Sequence, residues 1–140
     1  MADYLYVFIA VIALMALYLT WLKVLAPKFA GVQKLSMSEY RDQFKKQSHL
    51  LLDVRSDSEF AAAHSPRAKH VPVEQIAKSN HEELLELTRG KPVVCICASG
   101  SRSMMAATVI ARHGFLPVYS LTGGMGAWKS AGMTLRRSRE

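Results

Sequence analysis

A nucleophile beside an anion cradle is written into one stretch of this chain, Val93-Val94-Cys95-Ile96-Cys97-Ala98-Ser99-Gly100-Ser101-Arg102-Ser103. An apolar run of strand type ends at Cys97, a loop of small residues follows, and a helix is expected from about Ser103. In open α/β sheets ligands bind at the carboxyl ends of strands, where such loops lie. A cysteine there faces the positive end of the following helix, and successive N–H groups around Ser99-Gly100-Ser101 curl round its sulfur. Both effects favour thiolate. The same concavity suits an oxyanion such as thiosulfate, sulfate or phosphate, and Arg102 adds positive charge at its mouth. The chemistry these residues allow is attack by the Cys97 sulfur on an anionic substrate.

Other reactive residue types have plainer readings. Cys95 points broadly to the same strand face as Cys97; a resolving thiol is conceivable there, and a buried core cysteine is the favoured reading. Asp53 and Arg55 are expected as structural supports, Asp53 bonding loop N–H groups and Arg55 pairing with Glu59. His64 reads as a hydrogen-bonding loop residue and Trp128 as a core anchor. Met104 and Met105 read as packing, with one of them a candidate for the pocket mouth. The five histidines form no ligand pattern with the two cysteines or with carboxylates, so no metal is expected. A tyrosine-phosphatase-like loop needs five residues between cysteine and arginine, whereas Arg102 follows Cys97 after four. The smaller loop suits a sulfur or sulfonate better than a phosphate monoester.

The elements that must hold this loop follow from hydrophobic period and capping. Residues 33–35 read as a first strand. Ser36 with Glu39 is a capping box, predicting a helix to about Gln47. Residues 49–54 form a short apolar run ending in polar residues, as a buried parallel strand does. Ser56 with Glu59 opens a second helix to about Ala63, and residues 69–71 make a third strand. Asn80 with Glu83 starts a helix to about Leu87, which Gly90 closes. Residues 92–97 are another buried strand, a helix follows from about Ser103 to His113, and residues 118–121 are the last strand. Gly123-Gly124 turns into a short helix through Trp128. Strands alternating with helices predict an α/β domain with a central, mostly parallel sheet flanked by helices. The tail, residues 136–140, is expected to fray.

The chain has 140 residues, with 18 Lys+Arg, 11 Asp+Glu, 2 Cys and 50% hydrophobic residues. That length suits one ordinary domain and excludes a multidomain enzyme. The hydrophobic share excludes a disordered chain, and two cysteines exclude a disulfide-stapled fold and a four-cysteine zinc site. The apolar surplus lies at the amino end. Residues 4–22 carry no charge and as a helix reach roughly 28 Å, close to the bilayer hydrocarbon thickness. Tyr4, Tyr6, Tyr18 and Trp21 sit near its two ends, where aromatic belts lie. A signal peptide has a basic amino flank and a shorter apolar stretch. Residues 1–26 are therefore read as an uncleaved transmembrane anchor, 27–32 as a linker and 33–140 as the domain. All 18 basic residues follow Leu22, against 10 acidic ones there, a formal +8. The positive-inside rule then places the domain in the cytoplasm and the amino terminus outside, and the charge suits a position near anionic headgroups. No nucleic-acid partner is expected, because the basic residues are scattered without a binding motif.

Three segments in order resemble one family. Leu51-Leu52-Asp53-Val54-Arg55 followed by Glu59-Phe60 is similar to the aspartate-valine-arginine segment of single-domain rhodaneses and the glutamate after it. Residues 97–103 resemble their Cys-x-x-Gly-x-Arg-Ser active loop. Leu121-Thr122-Gly123-Gly124-Met125-Gly126-Ala127-Trp128 resembles their closing double-glycine and tryptophan motif. The resemblance implies a rhodanese-like fold and a sulfurtransferase of the thiosulfate type. Cys97 is then the catalytic residue, accepting a sulfane sulfur as a persulfide and passing it to a second nucleophile. Ala98, Ser99, Gly100, Ser101, Arg102 and Ser103 would hold the negative sulfur and the donor's oxygens. A covalent intermediate between two half-reactions predicts ping-pong kinetics, with no metal or organic cofactor. The implied partners are a small-molecule donor and acceptor, thiosulfate and cyanide in an assay, with a protein acceptor as a further option.

One segment departs from the family pattern. Gly-His-Ile-Pro-Gly-Ala is replaced by Ala63-His64-Ser65-Pro66-Arg67-Ala68, so both glycines are lost. If those glycines need positive φ, a changed or slightly strained turn is predicted. A partner-facing surface is the other reading, since Arg67, Lys69 and His70 cluster there. The resulting expectation is a membrane-anchored sulfurtransferase of a bacterial inner membrane. A membrane-tethered interaction or persulfide-relay module with little turnover is the alternative.

Overall fold

The computed structural model describes residues 2–138. Its strands are β1 (Gln33–Leu35), β2 (Leu50–Asp53), β3 (Lys69–His70), β4 (Val93–Ile96) and β5 (Val118–Leu121). All pair in parallel, in the order β1-β5-β4-β2-β3. Every residue of β4 and β5 is buried, which is why their sequences read as largely apolar runs rather than alternating ones. Side-chain alternation divides the core in two. Leu52, Val54, Val93, Cys95, Cys97 and Val118 face one layer, while Leu51, Val94, Ile96, Tyr119 and Leu121 face the other.

The helices are α1 (Ala2–Thr20), α2 (Ala26–Ala30), α3 (Met37–Phe44), α4 (Asp57–Ala62), α5 (Val73–Lys78), α6 (His81–Thr88), α7 (Ser101–Arg112) and α8 (Gly124–Ser130). Helices α5, α6 and α7 bury their apolar faces on the first layer, and α3 and α8 on the second. The capping boxes expected at Ser36, Ser56 and Asn80 are all formed. Helix α3 ends at Phe44, three residues before the sequence expectation. Met37, Tyr40 and Phe44 bury one face, and Lys45-Lys46-Gln47 beyond them are exposed. Helix α5 was not anticipated. It is six residues long, too short to show a period, and is started by Pro72 at its N-cap with Val73 and Ile76 buried. The third strand stops at His70, one residue short of expectation.

The amino-terminal segment is helical further than expected. A single π-helical turn (Trp21–Leu25) joins α1 to α2, so helix continues to Ala30 through the segment read as a linker. Ala26 is buried, and Ala30 and Val32 pack against the first core layer. Apolar burial therefore fixes this segment to the domain. Residues 4–25 are otherwise exposed, and the helix spanning Tyr4–Lys28 is long and apolar enough to cross a membrane by length and composition. The carboxyl-terminal tail is tied down rather than frayed as far as Ser138. His64 and Arg136 exchange backbone hydrogen bonds at 2.8 and 2.7 Å, and the Ser138 N–H donates to the Ala61 carbonyl at 3.0 Å. Met1 of the expected anchor, and Arg139 and Glu140 of the expected frayed tail, lie outside the described residues.

Candidate active site

Cys97 sits one residue beyond β4, at the carboxyl edge of the middle strand of the sheet. The chain turns back at Gly100, whose φ of 114° is available to glycine and strained for other residues. That turn aims the Gly100 N–H at the Cys97 sulfur, 3.0 Å away. Helix α7 begins at Ser101, two residues earlier than expected, so its amino end lies directly against the thiol. Ser103 is fully buried, and its Oγ lies 3.5 Å from the Cys97 Sγ. The same hydroxyl donates to the Gly100 carbonyl at 3.0 Å and shares a hydrogen bond with the Ser120 Oγ at 2.7 Å.

Burial of Cys97 works against ionisation. The Ser103 hydroxyl and the N–H groups of Ser103, Gly100 and Ser99 outweigh it and bring the thiol below its ordinary pKa. Cys95 has no such donors. Buried in the core and opposed by the charge on Cys97, its thiol is pushed far up and stays protonated. It is the core cysteine that its position in the strand suggested. Ser120, on β5 in register with Cys95, was missed by the sequence reading. Its signal was a serine in a run, residues 118–121, that is otherwise aliphatic and aromatic.

The double glycine supports the loop from below. The Met125 N–H donates to the Cys97 carbonyl at 2.7 Å. At Gly124, with φ +50°, an added Cβ would run into the Cys97 carbonyl oxygen and lie 2.7 Å from that of Ala98. Glycine is thus required there by close approach of two backbones. Trp128, four residues on, is buried as the expected core anchor and donates to the Thr134 carbonyl at 3.4 Å.

The ion pairs differ from the sequence expectation. Arg55 does not pair with the Glu59 carboxylate. Its Nη2 lies 2.7 Å and its Nε 3.0 Å from the two carboxylate oxygens of Asp53, and both residues are buried. Its remaining donors reach the Glu59 and Ala63 carbonyls, clamping the end of β2 to α4. Asp53 also accepts the Arg55 N–H at 3.1 Å, the loop N–H bond anticipated for it. Glu59 instead takes Arg102, with two bonds of 2.7 and 2.8 Å. Its position three residues into the Ser56 capping box aims its carboxylate across to α7, and Arg102 holds that carboxyl well below the usual range. Arg102 therefore meets the loop mouth with its charge already compensated.

The structure brings Cys97, Ser99, Gly100 and Ser103 together around the sulfur, with Ala98 backed by Gly124, Ser101 exposed at the start of α7, and Arg102 at the rim. Asp53 and Arg55 stand one strand away. The glycine replacements produce no strain, since Ala63 has an extended φ of −164° and Arg67 has no positive φ. His64 and His70 sandwich the Phe60 ring at 3.9 and 4.3 Å, and His70 bonds the Arg55 carbonyl at 2.8 Å. His70 is turned inward by this stack and leaves the proposed basic surface cluster. Among the described residues, no group of three or more His, Cys, Asp or Glu is placed to hold a metal.

A parallel α/β sheet with a cysteine cradled by N–H groups at its middle strand defines the class of protein. The chain belongs to the rhodanese-like family, whose domain model matches residues 36–131. It is 33% identical over 92 residues to the thiosulfate sulfurtransferase GlpE of Pseudomonas syringae, covering 66% of this chain and 83% of that protein. It is 34% identical over 102 residues to the adenylyltransferase and sulfurtransferase MOCS3 of Drosophila persimilis, covering 69% of this chain and 22% of that one. Against several of the curated relatives it matches, the chain spans only 22% to 52% of their length. A rhodanese-like domain protein from Staphylococcus aureus shares the fold, with a TM-score of 0.63 at 24% identity over 76% of this chain and 99% of that one.

Proposed function

We propose that the chain is a membrane-anchored sulfurtransferase that carries sulfane sulfur on Cys97. The observation that carries this reading is the Cys97 sulfur held 3.0 Å from the Gly100 N–H, with its pKa lowered in spite of burial. The thiolate attacks the outer sulfur of thiosulfate; the new S–S bond leaves Cys97 as a persulfide, and sulfite departs with the electron pair of the broken bond. A second nucleophile, cyanide in an assay or a thiol of a small molecule or protein, then takes the outer sulfur and returns the thiolate. The Ala98–Ser103 loop holds the negative sulfur through its N–H groups and the Ser103 hydroxyl. Arg102 acts through Glu59, bracing the loop. The sulfurtransferases among its relatives support the same chemistry.

Residues 1–26 serve as the anchor, 27–32 connect it, and 33–140 form the domain, placed on the cytoplasmic side of a bacterial inner membrane. The exposed apolar helix and the location of every basic residue after Leu22 support that placement. The test of the chemistry is intact mass of the full chain in detergent after thiosulfate. One added sulfur, removed by cyanide, retained in Cys95→Ser and absent in Cys97→Ser, is expected. No adduct from thiosulfate or polysulfide on a folded chain with free Cys97 sinks the reading. The topology test is protease added to spheroplasts, which should leave the domain intact until the membrane is opened.

A further inference from the structure

The amino-terminal helix meets the domain along a groove of about 650 Å³, within the range of sites for organic molecules, about 300–1,000 Å³. Leu19, Leu22 and Lys23 line it from the amino-terminal helix, Met105 and Arg112 from α7, and Lys34 from β1. Leu19 and Leu22 close the uncharged run of residues 4–22, and Lys23 is the first cation of the chain. When such a run spans a bilayer, its first cation stands at headgroup level, so this groove straddles the boundary between hydrocarbon and headgroups. Its chemistry is divided in the same way. Leu19, Leu22 and Met105 offer exposed apolar surface. Lys23, Lys34 and Arg112 are exposed cations; among the described residues none of them is in an ion pair, and no carboxylate lines the groove. Leu19, Leu22 and Lys23 lie outside residues 36–131, so this wall is added by the chain's own amino-terminal helix.

We propose that this groove is a binding site for one anionic phospholipid of the surrounding bilayer. The proposal rests on the membrane-anchor reading and adds to it a lipid site on the domain. Charge complementarity sets the head of the occupant, because three cations without an acidic neighbour suit a phosphodiester that carries net negative charge. The wall of Leu19, Leu22 and Met105 sets its tail, since acyl chains cover that surface and a free phosphate leaves it in water. A zwitterionic lipid fits less well, because its own ammonium group stands among the three cations. Ser99, Gly100 and Ser101 line the same groove, and the Gly100 N–H reaches the Cys97 sulfur. A seated lipid therefore holds the Cys97 loop against the headgroup layer.

The test places the full chain in nanodiscs of equal phosphatidylglycerol and phosphatidylcholine, and reads the lipid retained on release by native mass spectrometry. One phosphatidylglycerol per chain is expected. Each cation near an anionic surface contributes about fivefold in affinity, so Lys34→Gln with Arg112→Gln should weaken retention about twenty-five-fold. Lys78→Gln with Lys91→Gln removes the same charge from exposed positions outside the groove and should leave retention unchanged. Equal loss in the two double variants assigns the lipid to net charge and overturns the groove. Displacement by millimolar glycerol phosphate assigns the site to free phosphate esters and overturns the lipid. No preference for phosphatidylglycerol, in a chain that alkaline carbonate leaves in the membrane, overturns the site and keeps the anchor. A chain that carbonate strips from the membrane overturns the anchor reading itself, and the lipid site with it.

Discussion

Removal of the Ser103 hydroxyl tests whether the loop tunes the Cys97 sulfur. That hydroxyl is 3.5 Å from the sulfur in a fully buried setting, and it is the leading influence that lowers the thiol pKa. A hydrogen bond to a charged group contributes about 1.5–3 kcal/mol, which corresponds to about one to two pKa units. The lower end applies here. The same hydroxyl also serves the Gly100 carbonyl and Ser120, and must turn from them when the sulfur ionises. The Gly100 N–H at 3.0 Å stays in place. Ser103→Ala is therefore expected to raise the Cys97 midpoint by about one unit, and to slow thiolate chemistry about tenfold at pH below both midpoints. The assay is the pH dependence of Cys97 alkylation by iodoacetamide in a Cys95→Ser background, read by intact mass, with ultraviolet thiolate absorbance alongside. The midpoint does not depend on how often the loop opens, so burial of the sulfur does not obscure it. A folded Ser103→Ala chain with an unchanged or lower midpoint refutes the reasoning.

Gly124→Ala should slow persulfide formation by about tenfold or more, because its Cβ meets the carbonyls of Cys97 and Ala98 at positive φ. Gly126→Ala, with open space around it, should not; equal single-turnover rates in the two variants refute the close-approach argument. Glu59→Gln removes the partner of Arg102 and should lower the melting temperature. The Glu59 pKa lies below its unfolded value, so its stabilisation is present above the ordinary carboxylate range and lost as pH falls through the folded value. The gap between parent and variant should thus hold from neutral pH to about pH 5, shrink progressively below that and vanish only in strong acid, muted by the 36% exposure of the Glu59 side chain. A gap that stays constant as pH falls through the carboxylate range shows an unpaired Glu59. Asp53→Asn leaves the buried Arg55 guanidinium uncompensated and should cost about 3–5 kcal/mol in denaturant unfolding; a loss comparable to that of an exposed pair contradicts the buried clamp.

The parts of the fold that the sequence displayed are those decided within four residues. Ser36, Ser56 and Asn80 each met a glutamate three positions later, and all three helices start there. The buried strands were visible because β4 and β5 are buried on both faces and largely apolar. The differences arose where burial decides. Helix α3 stops after Phe44 because nothing beyond it packs, and α5 exists because Val73 and Ile76 have a core to enter. Ala26 extends the amino-terminal helix into the domain for the same reason.

The candidate site divides in the same way. Cys97, Gly100 and Ser103 lie within one turn of chain, so their grouping was readable. Ser120 enters from the neighbouring strand, 17 residues from Ser103, and Glu59 meets Arg102 across 43 residues, so neither partnership leaves a spacing. The second reassignment alters the chemistry expected of the loop. A free guanidinium at the mouth would attract the donor and also retain a doubly charged sulfite as it leaves. With Arg102 held by Glu59, the sulfur is stabilised by dipoles instead: the Gly100, Ser99 and Ser103 N–H groups, the Ser103 hydroxyl and the amino end of α7. The Gly100 N–H points at the Cys97 sulfur and the other donors lie around it, and as dipoles they exert little pull on an anion that has left it. For the proposed transfer, a paired arginine therefore favours turnover, because the loop stabilises the thiolate without trapping the product.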